Sequence, residues 1–314
     1  MSALLLAITG WEPDTWLERF RAEAKGREVR LWPEIGDPAE IDYACVWKQP
    51  AGLLATLPKL KAVFSLGAGV DHLLSDRVLP DVPIVRIVDP DLTRRMTGYV
   101  ALHVLLHQRK MKLYERERSA RKWHDHYEAA PDQLRVGILG AGVLGTAAVP
   151  VLRQLGFQVA GFSRSPKTIP GIEIFSGEAG MNAFLGRSDI LVCLLPLTAE
   201  TRGMLSYDLF RRLARGGALG GPVLINAGRG GLQVEADILR ALADGTLIGA
   251  SLDVFEHEPP PQTNPFWDHP KVYTTPHNAA SSDPKLLTKN VMNQIERFER
   301  GLALEHVVDR RLGY

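Results

Sequence analysis

Residues 134–145 read Leu134-Arg-Val-Gly-Ile-Leu-Gly140-Ala-Gly142-Val-Leu-Gly145, and this stretch decides the fold. An apolar strand pattern runs directly into three glycines spaced Gly-x-Gly-x-x-Gly, and a helical stretch and a second apolar strand at 157–162 follow. In such a unit the first glycine permits a tight turn, the second lets the backbone approach a pyrophosphate, and the third lets helix and strand pack closely. The N-terminus of the helix then offers amide donors and a positive dipole end to the anion. The stretch therefore predicts a dinucleotide-binding domain.

The same alternation of short apolar strands with helical stretches extends in both directions from this unit. Apolar runs occur at 4–8, 43–46, 62–66 and 84–88 upstream, and at 190–195, 223–226 and 247–254 downstream. A long helical pattern from Gly98 to Lys122 connects the two regions, and Asp283-Pro284 begins a last helix near the end. We predict an α/β fold with two doubly wound parallel-sheet domains. A Rossmann cofactor domain at 99–283 is inserted in a flavodoxin-like substrate domain formed by 1–98 and 284–314.

Composition limits the classes of partner. The 314 residues carry 37 basic and 36 acidic side chains, and a net charge of +1 creates no field that would attract nucleic acid or an anionic membrane. Apolar runs stay well below the roughly 18 residues of a membrane helix, and the run at 4–8 is too short for a signal-peptide core. Cys45 and Cys193 both lie inside apolar runs, as expected in a reducing compartment. We expect a cytoplasmic protein that acts on a small molecule.

The end of the second strand of the cofactor unit indicates which dinucleotide is bound. An NAD site usually has an Asp or Glu there to accept hydrogen bonds from the ribose hydroxyl. This chain has Ser163-Arg164-Ser165 instead, with Lys167 close by and no acid before Glu173. Arg164 by itself would also fit an ordinary surface loop, but the missing acid favours a 2′-phosphate contact. We therefore predict NADPH as the cofactor, with NADH weaker.

Three further segments carry side chains suited to carbonyl reduction. Arg229 follows a strand in Asn226-Ala-Gly-Arg229, Glu258 ends the segment that begins at Asp253, and His277 follows Thr275-Pro. Reduction of a 2-oxo acid needs a cation for the carboxylate and carbonyl, and a proton donor for the oxygen that becomes a hydroxyl. Taken singly, Arg229 and Glu258 would fit a surface ion pair and His277 a turn histidine. Their order in one sheet, whose strand ends converge on a crevice, favours a catalytic site.

A metal site is not predicted. His124-Asp-His126 resembles a ligand pair, but two histidines two residues apart on a polar linker are too few for a metal centre.

Taken together, these features resemble the D-2-hydroxyacid dehydrogenase family along nearly the whole chain. Within the family the likeness is greatest to the bacterial glyoxylate/hydroxypyruvate reductase A group. The narrower likeness rests on residues 43–47, 60–71, 137–145 and 162–164 and on the terminal Val308-Asp-Arg310. The resemblance implies NAD(P)H-dependent reduction of glyoxylate or hydroxypyruvate to glycolate or D-glycerate by hydride transfer, in a homodimer.

The resemblance also implies roles for individual residues. Arg229 would bind the substrate carboxylate and polarise its carbonyl, His277 would be the acid/base, and Glu258 would pair with His277. The cofactor would be bound by Gly140, Gly142, Val143, Leu144, Gly145, Ser163, Arg164, Ser165, Leu195, Pro196, Thr201, Ala227, Gly228 and Asp253. Besides Arg229 and His277, the substrate would meet Trp47, Ala68, Gly69 and Val70. Trp47 would fit plain core packing equally well, and Asp253 a strand-end cap.

Departures from the family pattern and other functions stay open at this level. The segment 216–222 before Asn226 is longer and richer in glycine than usual, Gly228 replaces the usual Ala, and Asn278 replaces an apolar residue. The alternative functions are reduction of another 2-oxo acid, because pocket volume cannot be read from sequence, and a corepressor-like protein regulated by its dinucleotide.

Overall fold

The chain forms two parallel β-sheets. A computed structural model describes residues 2–314. Residues up to Leu92, together with Ser282–Tyr314, form the first compact unit, and Thr93–Ser281 form the second. The assignment of substrate binding to the first unit and of cofactor binding to the second stays a prediction.

The first unit contains a five-stranded sheet. Its strands are β1 (Ala3–Ile8), β2 (Glu28–Leu31), β3 (Ile41–Trp47), β4 (Ala62–Ser65) and β5 (Ile84–Val85), and its first two helices are α1 (Asp14–Glu23) and α2 (Asp71–Leu74). The strand order is β2-β1-β3-β4-β5 with every pair parallel. This is the doubly wound order of flavodoxin-like sheets. β1 and β3 lie inside the sheet and are buried along their whole length. β1 is apolar throughout, and β3 is apolar except for Asp42, whose carboxylate accepts a hydrogen bond from Lys61 Nζ at 2.9 Å.

The second unit contains a seven-stranded parallel sheet. Its strands are β6 (Arg135–Leu139), β7 (Gln158–Phe162), β8 (Glu173–Phe175), β9 (Ile190–Cys193), β10 (Val223–Asn226), β11 (Gly249–Leu252) and β12 (Val272–Thr274), in the order β12-β11-β10-β9-β6-β7-β8. Counted from β6, this is the dinucleotide-binding order with one more strand at the β12 edge. The predicted fold class is confirmed. Because β6 and β9 are neighbours, the topological switch point lies between them, at the glycine turn.

The helices of the second unit correct one prediction. They are α3 (Pro90–Gln108), α4 (Met111–Ser119), α5 (Val143–Gln154), α6 (Gly177–Gly186), α7 (Tyr207–Arg211) and α8 (Glu235–Ala243). The single helix predicted from Gly98 to Lys122 is wrong, because Lys110 has a left-handed φ of 52° that separates α3 from α4. α3 also begins earlier, at Pro90, where Oδ1 of Asp89 accepts hydrogen bonds from the amides of Asp91 and Leu92.

The last helix, α9 (Pro284–Glu299), belongs to the first unit and begins as predicted. The Asp283 carboxylate accepts a hydrogen bond from the Lys285 amide at 2.8 Å, and Pro284 occupies the first turn. Leu287, Val291 and Ile295 form its buried stripe. Among the described residues, no helix has the length and apolar character needed to cross a membrane.

Candidate active site

The predicted site residues of the second unit all follow strands of its parallel sheet. The glycine turn follows β6, Ser163-Arg164-Ser165 follows β7, Leu195–Thr201 follows β9, Ala227–Arg229 follows β10, Asp253 follows β11 and His277 follows β12. In a parallel sheet the carboxyl ends of all strands lie at one edge. The topology therefore brings these segments to a single edge of one sheet, where ligands of such folds bind.

The glycine turn leaves space for a ligand at the start of α5. Gly140 has φ +109°, and a Cβ added there would lie 2.8 Å from the Leu194 backbone carbon. A Cβ at Gly145 would lie 2.3 Å from the Gly140 oxygen, so both positions exclude a side chain. At Gly142 a Cβ would meet nothing within 4 Å, and Val143 and Leu144 follow as the exposed and half-buried first residues of α5. The turn thus has the open side that a pyrophosphate needs.

The segment after β7 is basic. An Arg164 guanidinium nitrogen lies 3.0 Å from a carboxylate oxygen of Glu200, and both side chains are substantially exposed. Ser163 Oγ donates to the Ser165 carbonyl at 2.7 Å, which closes the turn around Arg164. Lys167 Nζ donates to the Ala141 carbonyl, beside the glycine turn. A dianionic phosphate at this end of β7 would therefore meet two cations.

The segment after β9 is held by its own hydroxyl groups. Thr201 Oγ1 donates to the Pro196 carbonyl at 2.8 Å and accepts from the Thr198 amide at 2.8 Å. A Cβ added at Gly228 would lie 2.9 Å from the backbone oxygen of Leu195. A Cβ at this position would also lie 2.7 Å from Leu232 Cδ1, so Gly228 fits a tightly packed loop.

His277 and Glu258 form the pair that the sequence predicts. His277 Nδ1 donates to Glu258 Oε2 at 2.7 Å, and both side chains are partly exposed. Glu258 Oε1 also accepts from the Phe255 amide at 3.2 Å, which fixes the carboxylate. The hydrogen bond on Nδ1 sets the ring orientation and leaves Nε2 as the nitrogen for a substrate oxygen. This arrangement can hold a proton and deliver it.

The backbone at His277 is held in an unusual conformation by Asp253. His277 has φ +52°, and its amide donates to the carbonyls of Asp253 (2.8 Å) and Thr275 (3.0 Å). The Asp253 carboxylate, which is 2% exposed, accepts hydrogen bonds from Thr275 Oγ1 at 2.6 Å and from the amides of Asn278 and Ala279, both at 3.0 Å. Within the unit, Asp253 therefore organises the turn that presents His277.

Tyr99, which the sequence did not single out, extends this network into α3. Its hydroxyl lies 3.0 Å from Thr275 Oγ1, and burial raises its pKa, so that it stays a neutral phenol. Beneath it, Nδ1 of His103 and Nε2 of His107 each lie 2.8 Å from Ser251 Oγ. Burial lowers the pKa of His103 to about 4 and that of His107 to about 3, so both support β11 as neutral rings. Nothing in the helical pattern of this segment distinguishes them from ordinary core residues.

A buried amide network fixes the loop that carries Arg229. Asn226, fully buried at the end of β10, accepts from the Gly228 amide at 3.1 Å and donates to Gln233 Oε1 at 2.8 Å and to the Arg229 carbonyl at 3.2 Å. Gln233 in turn donates to the Val254 carbonyl at 3.0 Å. The half-buried Arg229 has one guanidinium nitrogen on the Gly228 carbonyl at 2.9 Å. The polar Asn at the end of an apolar strand was the signal in the sequence for this anchor.

In the first unit, Trp47 is packed rather than open. Its ring is 6% exposed and stacks on Trp11 with 4.5 Å between ring centroids. Val70 is buried in the core, whereas Ala68 and Gly69 are half-buried. Core packing of Trp47 is thus observed, and its contact with substrate, like that of the 68–70 turn, stays a prediction.

Comparison with protein families agrees with this geometry. Residues 101–279 match the family model described as D-isomer specific 2-hydroxyacid dehydrogenase, NAD binding domain. Glyoxylate/hydroxypyruvate reductase A of Serratia proteamaculans is 40% identical over 307 residues, which cover 96% of this chain and 96% of that relative. The protein of the same name from Yersinia enterocolitica is 37% identical, with 97% of each chain covered.

Solved structures extend the comparison to the cofactor. An NADPH-dependent glyoxylate/hydroxypyruvate reductase from Sinorhizobium meliloti, in complex with NADP and sulfate, superposes with a TM-score of 0.96 at 49% identity over 100% of both chains. A probable 2-hydroxyacid dehydrogenase from Rhizobium etli, in complex with NADP, HEPES and L(+)-tartaric acid, gives a TM-score of 0.94 at 42% identity, covering 100% of this chain and 99% of that one.

Proposed function

Because the chain belongs to the D-isomer specific 2-hydroxyacid dehydrogenase family, we propose that it reduces glyoxylate to glycolate and hydroxypyruvate to D-glycerate, with NADPH preferred over NADH. The observation that carries the proposal is the 2.7 Å hydrogen bond between His277 and Glu258, at the same sheet edge as the glycine turn and Arg164. Proton donor, cofactor cradle and phosphate-binding cation thus occupy one edge of one sheet.

The second unit fits a bound dinucleotide. The turn at Gly140–Gly145 excludes side chains on its inner side and is open at Gly142, so it would hold the pyrophosphate at the start of α5. Arg164, with Ser163 and Ser165, would bind the 2′-phosphate. The hydride added to C2 of the substrate would come from NADPH bound there.

The chain's own side chains supply the charge and the proton. Arg229 binds the substrate carboxylate and, with its planar fork, also draws electron density toward the carbonyl oxygen. His277 donates the proton of Nε2 to that oxygen, and Glu258 stabilises the imidazolium before the transfer. In balance, a 2-oxo acid, NADPH and one proton give the 2-hydroxy acid and NADP⁺.

Two wider features belong to the same proposal. The protein forms a homodimer in the cytoplasm. Three large apolar side chains support the dimer because a partner could cover them. Leu102 on α3 is 53% exposed, and Trp123 and Tyr127 in the segment after α4 are 99% and 71% exposed. Both cysteines are buried free thiols, in keeping with a reducing compartment. Light scattering coupled to gel filtration tests the dimer, and a monomeric mass at micromolar concentration would refute it.

Product analysis tests the reaction. Hydroxypyruvate and NADPH should be consumed in equal amounts while D-glycerate appears, and glyoxylate should give glycolate. His277→Ala should lower kcat by about 10²- to 10⁴-fold, the range for loss of a general acid. His257→Ala, which removes an exposed neighbouring imidazole, is the matched control and should keep normal rates. L-glycerate as product, or normal rates in His277→Ala, would overturn the proposal.

A further inference from the structure

Glu117, near the end of α4, lies against two histidines of the segment that follows the helix. His126 Nε2 is 2.9 Å from Oε1 and 3.0 Å from Oε2 of Glu117, and His124 Nδ1 is 3.2 Å from Oε1. One ligand-type atom from each of the three side chains lies within 4.8 Å of the other two. The sequence alone showed only the two histidines, because Glu117 lies seven residues earlier in a different element.

These separations suit a single small cation. Zinc is bound by His nitrogen at about 2.0–2.1 Å and by carboxylate oxygen at about 2.0–2.2 Å, so two ligands of a tetrahedral site lie roughly 3.3 Å apart. The observed nitrogen–oxygen distances of 2.9 Å and 3.2 Å are close to this separation, and the three ligand atoms all lie within 4.8 Å of one another. A metal ion can therefore replace the protons that the two rings share with the carboxylate after small shifts of the three side chains.

The cluster is also partly organised before any metal binds. The Glu117 side chain is 12% exposed and that of His126 is 31% exposed. The His126 amide donates to the Tyr114 hydroxyl at 3.4 Å, and the two rings pack at 5.7 Å between centroids.

Space for a further ligand lies beside the cluster. An open cavity of about 500 Å³ is lined by His126 together with Tyr114, Asp125, Tyr127, Arg109 and Glu128. The His124 side chain is 59% exposed in the single chain, so water can reach the cluster and complete the coordination, as in zinc sites with three protein ligands.

We propose that Glu117, His124 and His126 bind one divalent transition-metal ion of the zinc class, with water in the open position. Two imidazoles and a carboxylate favour Zn²⁺, Co²⁺ or Ni²⁺ over Mg²⁺ or Ca²⁺, which prefer oxygen ligands. The ion fastens the segment 120–126, which carries the exposed Trp123, to the last turn of α4. This site is separate from the sheet edge and takes no part in hydride transfer.

Zinc binding to the metal-free protein tests the proposal. Competition with a chromophoric zinc indicator should give one tight site per chain, and Co²⁺ should give the visible absorption of a low-symmetry nitrogen and oxygen site. Loss of a direct ligand in His126→Ala should weaken zinc binding by more than the ~10- to 100-fold that loss of a second-shell partner costs. Glu117→Gln, which keeps the side-chain shape and removes the charge, should have the same effect.

The matched control is His306→Asn, because His306 is exposed, lies in the other unit, and has a left-handed φ that Asn tolerates. It should bind zinc like the wild type. Circular dichroism verifies that each variant is folded, and Glu117→Gln serves alone if His126→Ala is not. Equal zinc affinity in the wild type and in the folded ligand variants would overturn the proposal, as would binding of Mg²⁺ in preference to zinc.

Discussion

At the scale of single residues, the charge of Glu258 is expected to matter because its carboxylate accepts the hydrogen bond from His277 Nδ1. In Glu258→Gln the imidazolium loses its anionic partner at 2.7 Å but keeps a hydrogen-bonding side chain of the same shape. Because reduction needs the protonated ring, the alkaline fall of kcat/KM should move to lower pH. The pH dependence of the reduction rate measures this shift, with Glu256→Gln on the neighbouring exposed carboxylate as control. If the two variants have superimposable pH profiles, Glu258 does not act through His277.

Arg229 is expected to act by its shape as well as by its charge. Arg229→Lys keeps the positive charge but loses the planar fork that engages carboxylate and carbonyl together. We expect kcat/KM to fall by about 10²- to 10³-fold, as when a single preorganised donor is removed. Steady-state kinetics with glyoxylate measure the loss. A lysine variant as active as the wild type would mean that the Asn226–Gln233 network holds Arg229 away from the substrate.

Arg164 is expected to determine the choice of cofactor. Loss of the Arg164 side chain removes its charge-assisted bond to the 2′-phosphate. NADPH binding should then weaken by roughly ten- to hundredfold, and NADH binding should be nearly unaffected. Arg164→Asp should go further and reverse the preference, since the new carboxylate repels the phosphate and accepts bonds from a ribose hydroxyl. The ratio of kcat/KM for NADPH and NADH, measured at fixed ionic strength because screening weakens exposed contacts, is the readout.

Glu200 offers the matched control for this experiment. It is the carboxylate that contacts Arg164, at 3.0 Å, so Glu200→Gln leaves Arg164 free of that ion pair and should keep NADPH preferred. An unchanged cofactor ratio in Arg164→Asp would assign phosphate binding to another residue.

At the scale of the element, two substitutions in the glycine turn distinguish an effect on folding from an effect on cofactor binding. Gly145→Ala places a Cβ against the Gly140 backbone oxygen, which cannot move away cheaply, and should lower the melting temperature. In Gly142→Ala the added Cβ meets nothing within 4 Å, so the free energy of unfolding should stay within about 0.5 kcal/mol of the wild-type value. Its methyl group would nevertheless enter the open space proposed for the pyrophosphate, so NADPH affinity should fall. Thermal unfolding and NADPH titration of both variants measure the two effects, and normal affinity in Gly142→Ala would contradict the proposed cradle.

The sequence predicts elements well where local chemistry and burial agree. Asp283-Pro284 correctly marks the start of α9, and the same signal at Asp89-Pro90 marks the start of α3, where it was overlooked. The break at Lys110 was not predictable, because a left-handed lysine depends on the packing of the helices on either side. The missed strands β2, β8 and β12 lie at edges of their sheets and have three or four residues, of which at most two in a row are apolar.

Within the site, only the acid/base and cationic residues could be predicted from the sequence. His277, Glu258 and Arg229 were found because acid/base and cationic side chains at strand ends point to catalysis, and the bond between His277 and Glu258 is present. The residues that position them, Tyr99 and Gln233, act through neutral hydrogen bonds. Such residues are indistinguishable from helix and loop residues until the fold brings them into contact.

At the scale of the whole molecule, the near-zero net charge and the two parallel sheets suit an enzyme for small anions, which are recognised at one site rather than by a surface field. Family membership extends across both units, because relatives named glyoxylate/hydroxypyruvate reductase A match 96% of the chain or more. The proposed reaction therefore belongs to the complete two-unit chain rather than to the dinucleotide-binding unit alone.

The proposed reaction is best tested by kcat/KM of the wild-type protein for glyoxylate, hydroxypyruvate and pyruvate, each with NADPH and with NADH. We expect turnover of glyoxylate and hydroxypyruvate to exceed turnover of pyruvate, and NADPH to be preferred because Arg164 occupies the place of a ribose-binding carboxylate. Absence of turnover with every pair would contradict the proposed reaction. A preference for NADH, with the same substrates reduced, would contradict the role of Arg164.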